Sequence, residues 1–287
     1  MLSAHSTRHF ADSELATTIF LERRFRAHLV SRNRLLYDSA YSPAARKAPQ
    51  FVHVYASLRG TLALDHESSV TGPQAYVLAE TEFERVGAGA RTFRSYGDPG
   101  VIVELRLSRR DLLVPVGLQH GALALPDAVW AAYHALAARP TEPALLAVME
   151  ALAEARIIAR PLVESCVERE PEQFTRLWTV IRPLYEELQT SASLKQIAVL
   201  ARLSLRQLGR DLADLTRTFG LFGGGFRDAM RVLRLRAAVL LLSAPAATPS
   251  EVAKSVGYGS LDAMGRAFRD AGLAAPSVVQ TAVRYPE

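Results

Sequence analysis

The sequence predicts an α+β chain. A small β-barrel with a following helical pair comes first, then an all-α part made of two helix-turn-helix units joined by a long helix. Three observations predict this. Short strand-length runs, punctuated by glycine and proline, occupy residues 25 to 107. From residue 172 onward, apolar residues recur at helical spacing. Within that last stretch the chain says nearly the same thing twice. Residues 197 to 212 read I-A-V-L-A-R-L-S-L-R-Q-L-G-R-D-L, and residues 252 to 268 read V-A-K-S-V-G-Y-G-S-L-D-A-M-G-R-A-F. Each copy opens on a β-branched residue and an alanine (Ile197-Ala198, Val252-Ala253). Each closes on a large apolar residue followed by Gly-Arg-x-apolar (Leu208-Gly209-Arg210-x-Leu212, Met264-Gly265-Arg266-x-Phe268). Two short helices joined by a tight turn, made twice, suit a chain that grips DNA at two places. The expected domains are residues 1–118, a β part; 119–171, a helical dimerisation or linker region; and 172–287, the double unit.

Taking the β part in order, Phe51 to Leu58 and Thr61 to Asp65 read as a hairpin with Arg59-Gly60 at its turn. Gln74 to Ala79, Arg91 to Tyr96 and Val101 to Leu107 are further strand-length runs. Gly72-Pro73, Gly87-Ala88-Gly89 and Gly97-Asp98-Pro99-Gly100 separate them. Asp127 is placed to cap a helix carrying Val129, Trp130, Tyr133 and Leu136, which Pro140 ends. A second helix carries Leu145, Val148, Met149 and Leu152. This pair either covers the barrel or pairs with a second chain; dimerisation through residues 127 to 158 is the expectation that gives the linker a role. Glu168-Arg169-Glu170 and Pro171 read as the link to the helical part.

Phe174 to Leu188 reads as a helix with Leu177, Ile181, Leu184 and Leu188 inward and Pro183 as a point of bending. Ser193 and Ser204 cap the next two helices. Phe226 to Leu242 is the long helix, with Phe226, Met230, Leu233, Ala237 and Leu241 inward. Its length of about 25 Å, at 1.5 Å per residue, holds two small units apart. Thr248 or Ser250 caps the first helix of the second unit, and Gly259-Ser260 opens its last.

The bulk properties agree with this division. A chain of 287 residues, 49% hydrophobic, supports two cores. Its apolar runs fall short of the roughly 20 residues of a membrane span. Acids and histidines near the N-terminus replace the apolar stretch of a signal peptide. The lone cysteine, Cys166, rules out a disulfide framework and suits a reducing cytoplasm; an inert thiol between helices is expected. Residues 1–171 hold 19 Lys+Arg against 19 Asp+Glu, whereas residues 172–287 hold 15 against 10. The excess of +5 therefore belongs to the helical part alone, as phosphate binding would require.

Residues 172 to 285 resemble the AraC/XylS family of bacterial transcription regulators. The family's Arg-Leu-x-x-Ala-x-x-Leu-Leu stands here as Arg234-Leu235-Arg236-Ala237-Ala238-Val239-Leu240-Leu241-Leu242. Its Ile-Ala-x-x-x-Gly-Phe appears as Val252-Ala253-Lys254-Ser255-Val256-Gly257-Tyr258, and its Phe…Gly…Pro ending approximately as Phe268 to Pro276. The resemblance implies recognition helices at Ser204 to Leu215 and Ser260 to Asp270. They would enter successive major grooves about 34 Å apart on one face of B-DNA. The N-terminal part resembles, more loosely, the family's cupin-type sensor barrel. This implies a small-molecule effector in an apolar barrel interior, with no residue assigned to it.

With Leu208 and Leu212 inward, Arg206, Gln207 and Arg210 lie on the other side of the first recognition helix. Arg pairs bidentately with guanine and Gln with adenine. By family position, Arg206 and Arg210 are the leading readers; for Arg210 the bland alternative is phosphate contact or pairing with Asp214. On the second helix, Ser260 opens the segment and Leu261, Asp262 and Arg266 face the groove. Leu261 suits a thymine methyl and Asp262 cytosine N4, but that carboxylate also repels phosphates. Met264, Gly265, Gly272 and the run Gly223-Gly224-Gly225 depart from the family pattern. Backbone-dominated binding by the second unit is the resulting expectation.

The implied partners are double-stranded DNA, a small-molecule effector, RNA polymerase and a second copy of the chain, with no membrane, no cofactor and no metal. Histidines 5, 9, 28, 53, 66, 120 and 134 form no H-x-H pair; His53 and His66 would need Glu67 to hold a metal. Glu80, Glu82 and Glu84 read as a solvated strand edge. Walker, Rossmann and G-x-S-x-G motifs are missing, so an enzyme is not expected. Two readings stay open: a ligand-responsive DNA-binding regulator, and a ligand- or protein-binding module whose helical part no longer reads DNA. Steep salt dependence of DNA binding separates them.

Overall fold

Alternation of side chains across the strands builds an antiparallel sheet from the first residues onward. The computed structural model describes residues 1–10, 12–38, 51–63, 69–71, 73–79, 94–114, 120–188, 192–219 and 226–284. Its strands are β1 (Leu2–Phe10), β2 (Ser13–Leu21), β3 (Phe25–Asn33), β4 (Tyr37–Asp38), β5 (Phe51–Ala63), β6 (Ser69–Thr71), β7 (Gln74–Ala79), β8 (Arg94–Ser108) and β9 (His120–Leu123). They run in the order β1-β2-β3-β8-β5-β7-β9, with β4 on β8 and β6 on β5. Every pairing is antiparallel. Among the described residues β1 and β9 do not meet, so the expected barrel is an open sheet.

Four sequence expectations change here. The β structure begins at Leu2, not near residue 25. The hairpin expected over 51 to 65 is a single strand, β5. The expected turn at Arg59-Gly60 is a bulge, because β8 keeps pairing on both sides of it (Arg59 with Val101, Thr61 with Tyr96). Gly60 sits there at φ +83°, and a Cβ would stand 2.8 Å from the Tyr96 carbonyl oxygen. For the same reason residues 97 to 100 are the other side of that bulge, not a break: β8 is one strand from Arg94 to Ser108. Arg91 to Phe93, Asp65, His66, Glu67, Gly72, Glu80, Glu82, Glu84, residues 87 to 89 and residues 223 to 225 lie outside the described residues.

The helices are α1 (Asp127–Ala138), α2 (Glu142–Glu154), α3 (Pro161–Ser165), α4 (Glu172–Glu186), α5 (Leu194–Ala201), α6 (Leu205–Thr218), α7 (Phe226–Leu242), α8 (Pro249–Ser255), α9 (Leu261–Asp270) and α10 (Pro276–Arg284). Asp127 is the first residue of α1 and not its cap. Pro126 holds the cap position and no side chain closes it. The apolar stripes of α1 and α2 (Val129, Tyr133, Leu136, Leu145, Val148, Met149, Leu152) pack on one face of the sheet, against Ala27, Leu29, Val52, Val54, Val103 and Leu105. A dimer formed through residues 127 to 158 would therefore use the outer faces of these helices, where Ala128, Ala131, His134, Ala135, Ala138 and Ala147 are exposed.

The other face is not the apolar chamber the sequence suggested. The strand registers lay His28, Glu104, Tyr55 and Tyr76 in one row, and Arg26, Arg106, His53 and Leu78 in the next. Tyr55, Leu62, Tyr76, Leu78 and Ile102 are buried together beside this charged strip. Glu104 joins His53 in the place the sequence had offered to His66, with Oε1 2.5 Å from His53 Nδ1.

The expected link at 168 to 171 is pinned. Glu170 is buried and accepts a hydrogen bond from Arg23 Nε at 3.0 Å. Cys166 donates to the Leu162 carbonyl, and burial, aided by the Glu22 carboxylate, pushes its thiol up to about 12. Such a thiol is unreactive at neutral pH. α4 then packs against β1. Trp178 Nε1 donates to the Ser3 carbonyl at 2.9 Å and Ser6 Oγ to the Glu186 carbonyl at 2.7 Å. Sheet and helical part thus share one apolar core.

α7 is buried more broadly than its predicted stripe. Ala229, Val232, Leu235, Ala238, Val239 and Leu242 join Met230, Ala237 and Leu241 inside, while Phe226 and Leu233 are only half-buried. The cause is its position: α4, α6, α8, α9 and α10 all pack on it. α10 extends the second unit beyond the helix the sequence took as its last. Its Gln280 and Arg284 donate to the Ala247 carbonyl at 2.9 and 2.8 Å, closing the turn after α7.

Candidate nucleic-acid interface

The sequence repeat reappears as a repeat of bonds. In the first unit Ser193 caps α5 in a reciprocal box with Gln196, and Ser204 caps α6 by accepting from the Gln207 N–H at 3.2 Å. In the second unit Thr248 and Glu251 form the same box at α8, and Ser260 accepts from the Ala263 N–H at 3.1 Å at α9. Between the helices, Leu203 N–H donates to the Ala198 carbonyl at 2.9 Å and Tyr258 N–H to the Ala253 carbonyl at 2.8 Å. These are equivalent bonds closing equivalent turns, and both acceptors are the alanines that open the two sequence copies.

Each turn needs one left-handed residue. The second unit uses Gly257 at φ +83° and the first uses Arg202 at φ +55°. A side chain at such an angle costs roughly 1–2 kcal/mol. Arg202→Gly is therefore expected to raise stability by about 1 kcal/mol, read as a higher denaturant midpoint with unchanged slope; a lower midpoint would refute it.

Leu208, Leu212 and Leu215 of α6, and Met264 and Phe268 of α9, are buried. That turns the opposite faces outward. Arg206 and Arg210 are exposed on α6; Ser260, Leu261, Asp262, Arg266 and Arg269 are exposed on α9. The side chains of Arg206, Arg266 and Arg269 make no hydrogen bond or ion pair to another described residue. Arg210 does not pair with Asp214, which instead holds Arg217 at 2.5 Å. Arg210 Nη2 donates to Gln207 Oε1 at 2.6 Å, and Gln207 Nε2 donates to the buried Asp211 at 2.5 Å. Gln207 is thus half-buried and engaged at both ends of its amide, aligning Arg210. Asp211 and Arg269 escaped the sequence reading. The i,i+4 spacing of Gln207 and Asp211 was the available signal for the first. The second follows Arg266 at i+3.

Both outward faces also carry a glycine in mid-helix, Gly209 and Gly265, each costing its helix about 1 kcal/mol against alanine.

Neither a protein-family model nor a curated protein matches the chain. Among solved structures the chain is similar to an apo variant of ToxT from Vibrio cholerae (TM-score 0.37, 10% identity, covering 90% of this chain and 97% of that one). It is similar also to unsaturated fatty acid bound wild-type ToxT from Vibrio cholerae (0.36, 9%, 91% and 96%). A third is the AraC-like transcriptional activator CuxR (0.33, 13%, 78% and 80%). No helix among the described residues is long and apolar enough to cross a membrane.

Proposed function

We propose that the chain is a DNA-binding transcription regulator, as its motif resemblance over residues 172 to 285 implies. One observation carries this reading: two copies of the same capped turn, before and after α7 in the chain, each send a helix outward whose free face exposes two arginines, Arg206 and Arg210 on α6 and Arg266 and Arg269 on α9. Such helices match the major groove in diameter, about 10–12 Å against about 12 Å. Arg206 and Arg210 of α6 supply base contact. α9, with Asp262 exposed in its first turn, binds chiefly phosphate through Arg266 and Arg269.

The effector reading rests on a cleft of about 430 Å³ where the sheet meets the helical part. Thr7, Arg8, His9 and Phe10 line it from β1; Glu186, Glu187, Leu241 and Ser255 line it from the other side. A small molecule there would touch both parts at once, which is what passing on its state requires.

Arg206→Ala is expected to lower affinity by about 1–3 kcal/mol, tenfold or more, and to relax preference at one base position. Arg266→Ala is expected to weaken all sequences alike and flatten the salt slope by about one. Sequence selection followed by anisotropy titration measures both. Unchanged binding of both variants would defeat this reading in favour of a ligand- or protein-binding module.

A further inference from the structure

Glycine at 209 and 265 has no explanation among the described residues. At both positions a Cβ would meet nothing within 4 Å, and neither backbone has a positive φ. Gly257 shows what an internal reason looks like: there a Cβ would stand 2.4 Å from the Leu188 carbonyl oxygen. The two helices nevertheless carry the cost of glycine at the same step of the repeat, between a buried apolar residue and an exposed arginine.

Residues i, i+3, i+4 and i+7 share a helix face. On α6 that face reads Arg206, Gly209, Arg210, Ala213, and on α9 it reads Asp262, Gly265, Arg266, Arg269. All of these are exposed apart from Gly265, which is partly so. Each face therefore has a notch that reaches the backbone, set among long charged side chains. Four arginines against two aspartates, Asp262 and the exposed Asp270 that follows on α9, leave the two faces together positive, which makes the fitting partner a polyanion. A major groove about 12 Å wide leaves almost no clearance around a helix about 10–12 Å across, so a single methyl group on the inserted face decides how deep the helix seats.

We infer that Gly209 and Gly265 are the points of closest approach between the two helices and duplex DNA. The groove wall or floor occupies the space a side chain would take, so that Arg206, Arg210 and Arg266 reach the bases and phosphates. This deepens the DNA-binding reading and rests on it.

The test uses the full chain and a duplex selected from a random pool by the wild-type protein. Gly209→Ala, Gly265→Ala and the double variant are compared by thermal unfolding and by anisotropy. Each alanine is expected to raise Tm by about 2–4 °C, since only helix propensity changes, while lowering DNA affinity about tenfold or more. Higher Tm with wild-type affinity overturns the inference, as does a lower Tm, which would reveal a structural reason for glycine. A wild-type chain that selects no duplex overturns the DNA-binding reading itself, and this inference with it.

Discussion

Gly257→Ala is expected to destabilise the chain by about 3 kcal/mol or more. Two costs add. Alanine at φ +83° pays the left-handed penalty of roughly 1–2 kcal/mol. Its Cβ would also stand 2.4 Å from the Leu188 carbonyl oxygen and 3.1 Å from the Arg234 guanidinium. Overpacking of that kind costs about 1–3 kcal/mol. Leu188 cannot retreat cheaply, because it is buried and its carbonyl accepts from Arg234 Nε at 3.1 Å. The end of α4, the side of α7 and the turn of the second unit thus meet at one point. Gly272→Ala is the internal control. It has φ +74° but nothing within 4 Å, so only the backbone penalty is expected there. Urea titration of both variants decides the matter; equal losses at 257 and 272 would show that the close approach carries no weight.

Glu104→Gln is expected to cost about 3 kcal/mol at neutral pH. Glutamine keeps the shape and a hydrogen-bond acceptor, so the change isolates the charge. Arg26 and His53 are almost fully buried around Glu104, with His28 Nδ1 at 3.8 Å from Oε2 and Arg26 Nη2 at 3.8 Å from Oε1. Burial alone would push this carboxyl up. The imidazoles of His28 and His53 and the charge of Arg26 outweigh burial and hold it well below the usual carboxylate range. A carboxyl whose folded pKa is depressed contributes stability that is fully present above its unfolded value, about 4.3. That stability is lost as pH falls through the folded value. The gap between wild type and Glu104→Gln should therefore be widest near neutrality and shrink below about pH 4. A gap that is small at neutral pH, or unchanged in acid, would contradict this account of the charged strip.

The helical part was legible because its signals are local. A cap needs only its own side chain and the N–H groups two or three residues on, so Ser193, Ser204 and Ser260 stand where the sequence placed them, and Thr248 is the cap of the two candidates, Thr248 and Ser250. Helical periodicity then turned Leu208 and Leu212 inward and left Arg206 and Arg210 outside. The sheet was less legible, because glycine marks a turn and a bulge alike. Only the partner strand distinguishes them: Gly60 and residues 97 to 100 read as breaks until β5 and β8 are seen pairing past them. The strip around Glu104 was hidden for a related reason. His28, His53 and Glu104 are far apart in sequence and become neighbours only through the registers of β3, β8 and β5. The engagement of Gln207 with Asp211 depends on side-chain geometry that spacing suggests but does not determine.

The most direct measurement is the salt dependence of binding between the wild-type chain and duplex DNA. With Arg206, Arg210, Arg266 and Arg269 facing outward, log affinity should fall against log salt with a slope of about −3 or steeper, near −0.9 for each phosphate neutralised. Binding that is absent at low salt, or whose strength does not respond to salt, would contradict the account.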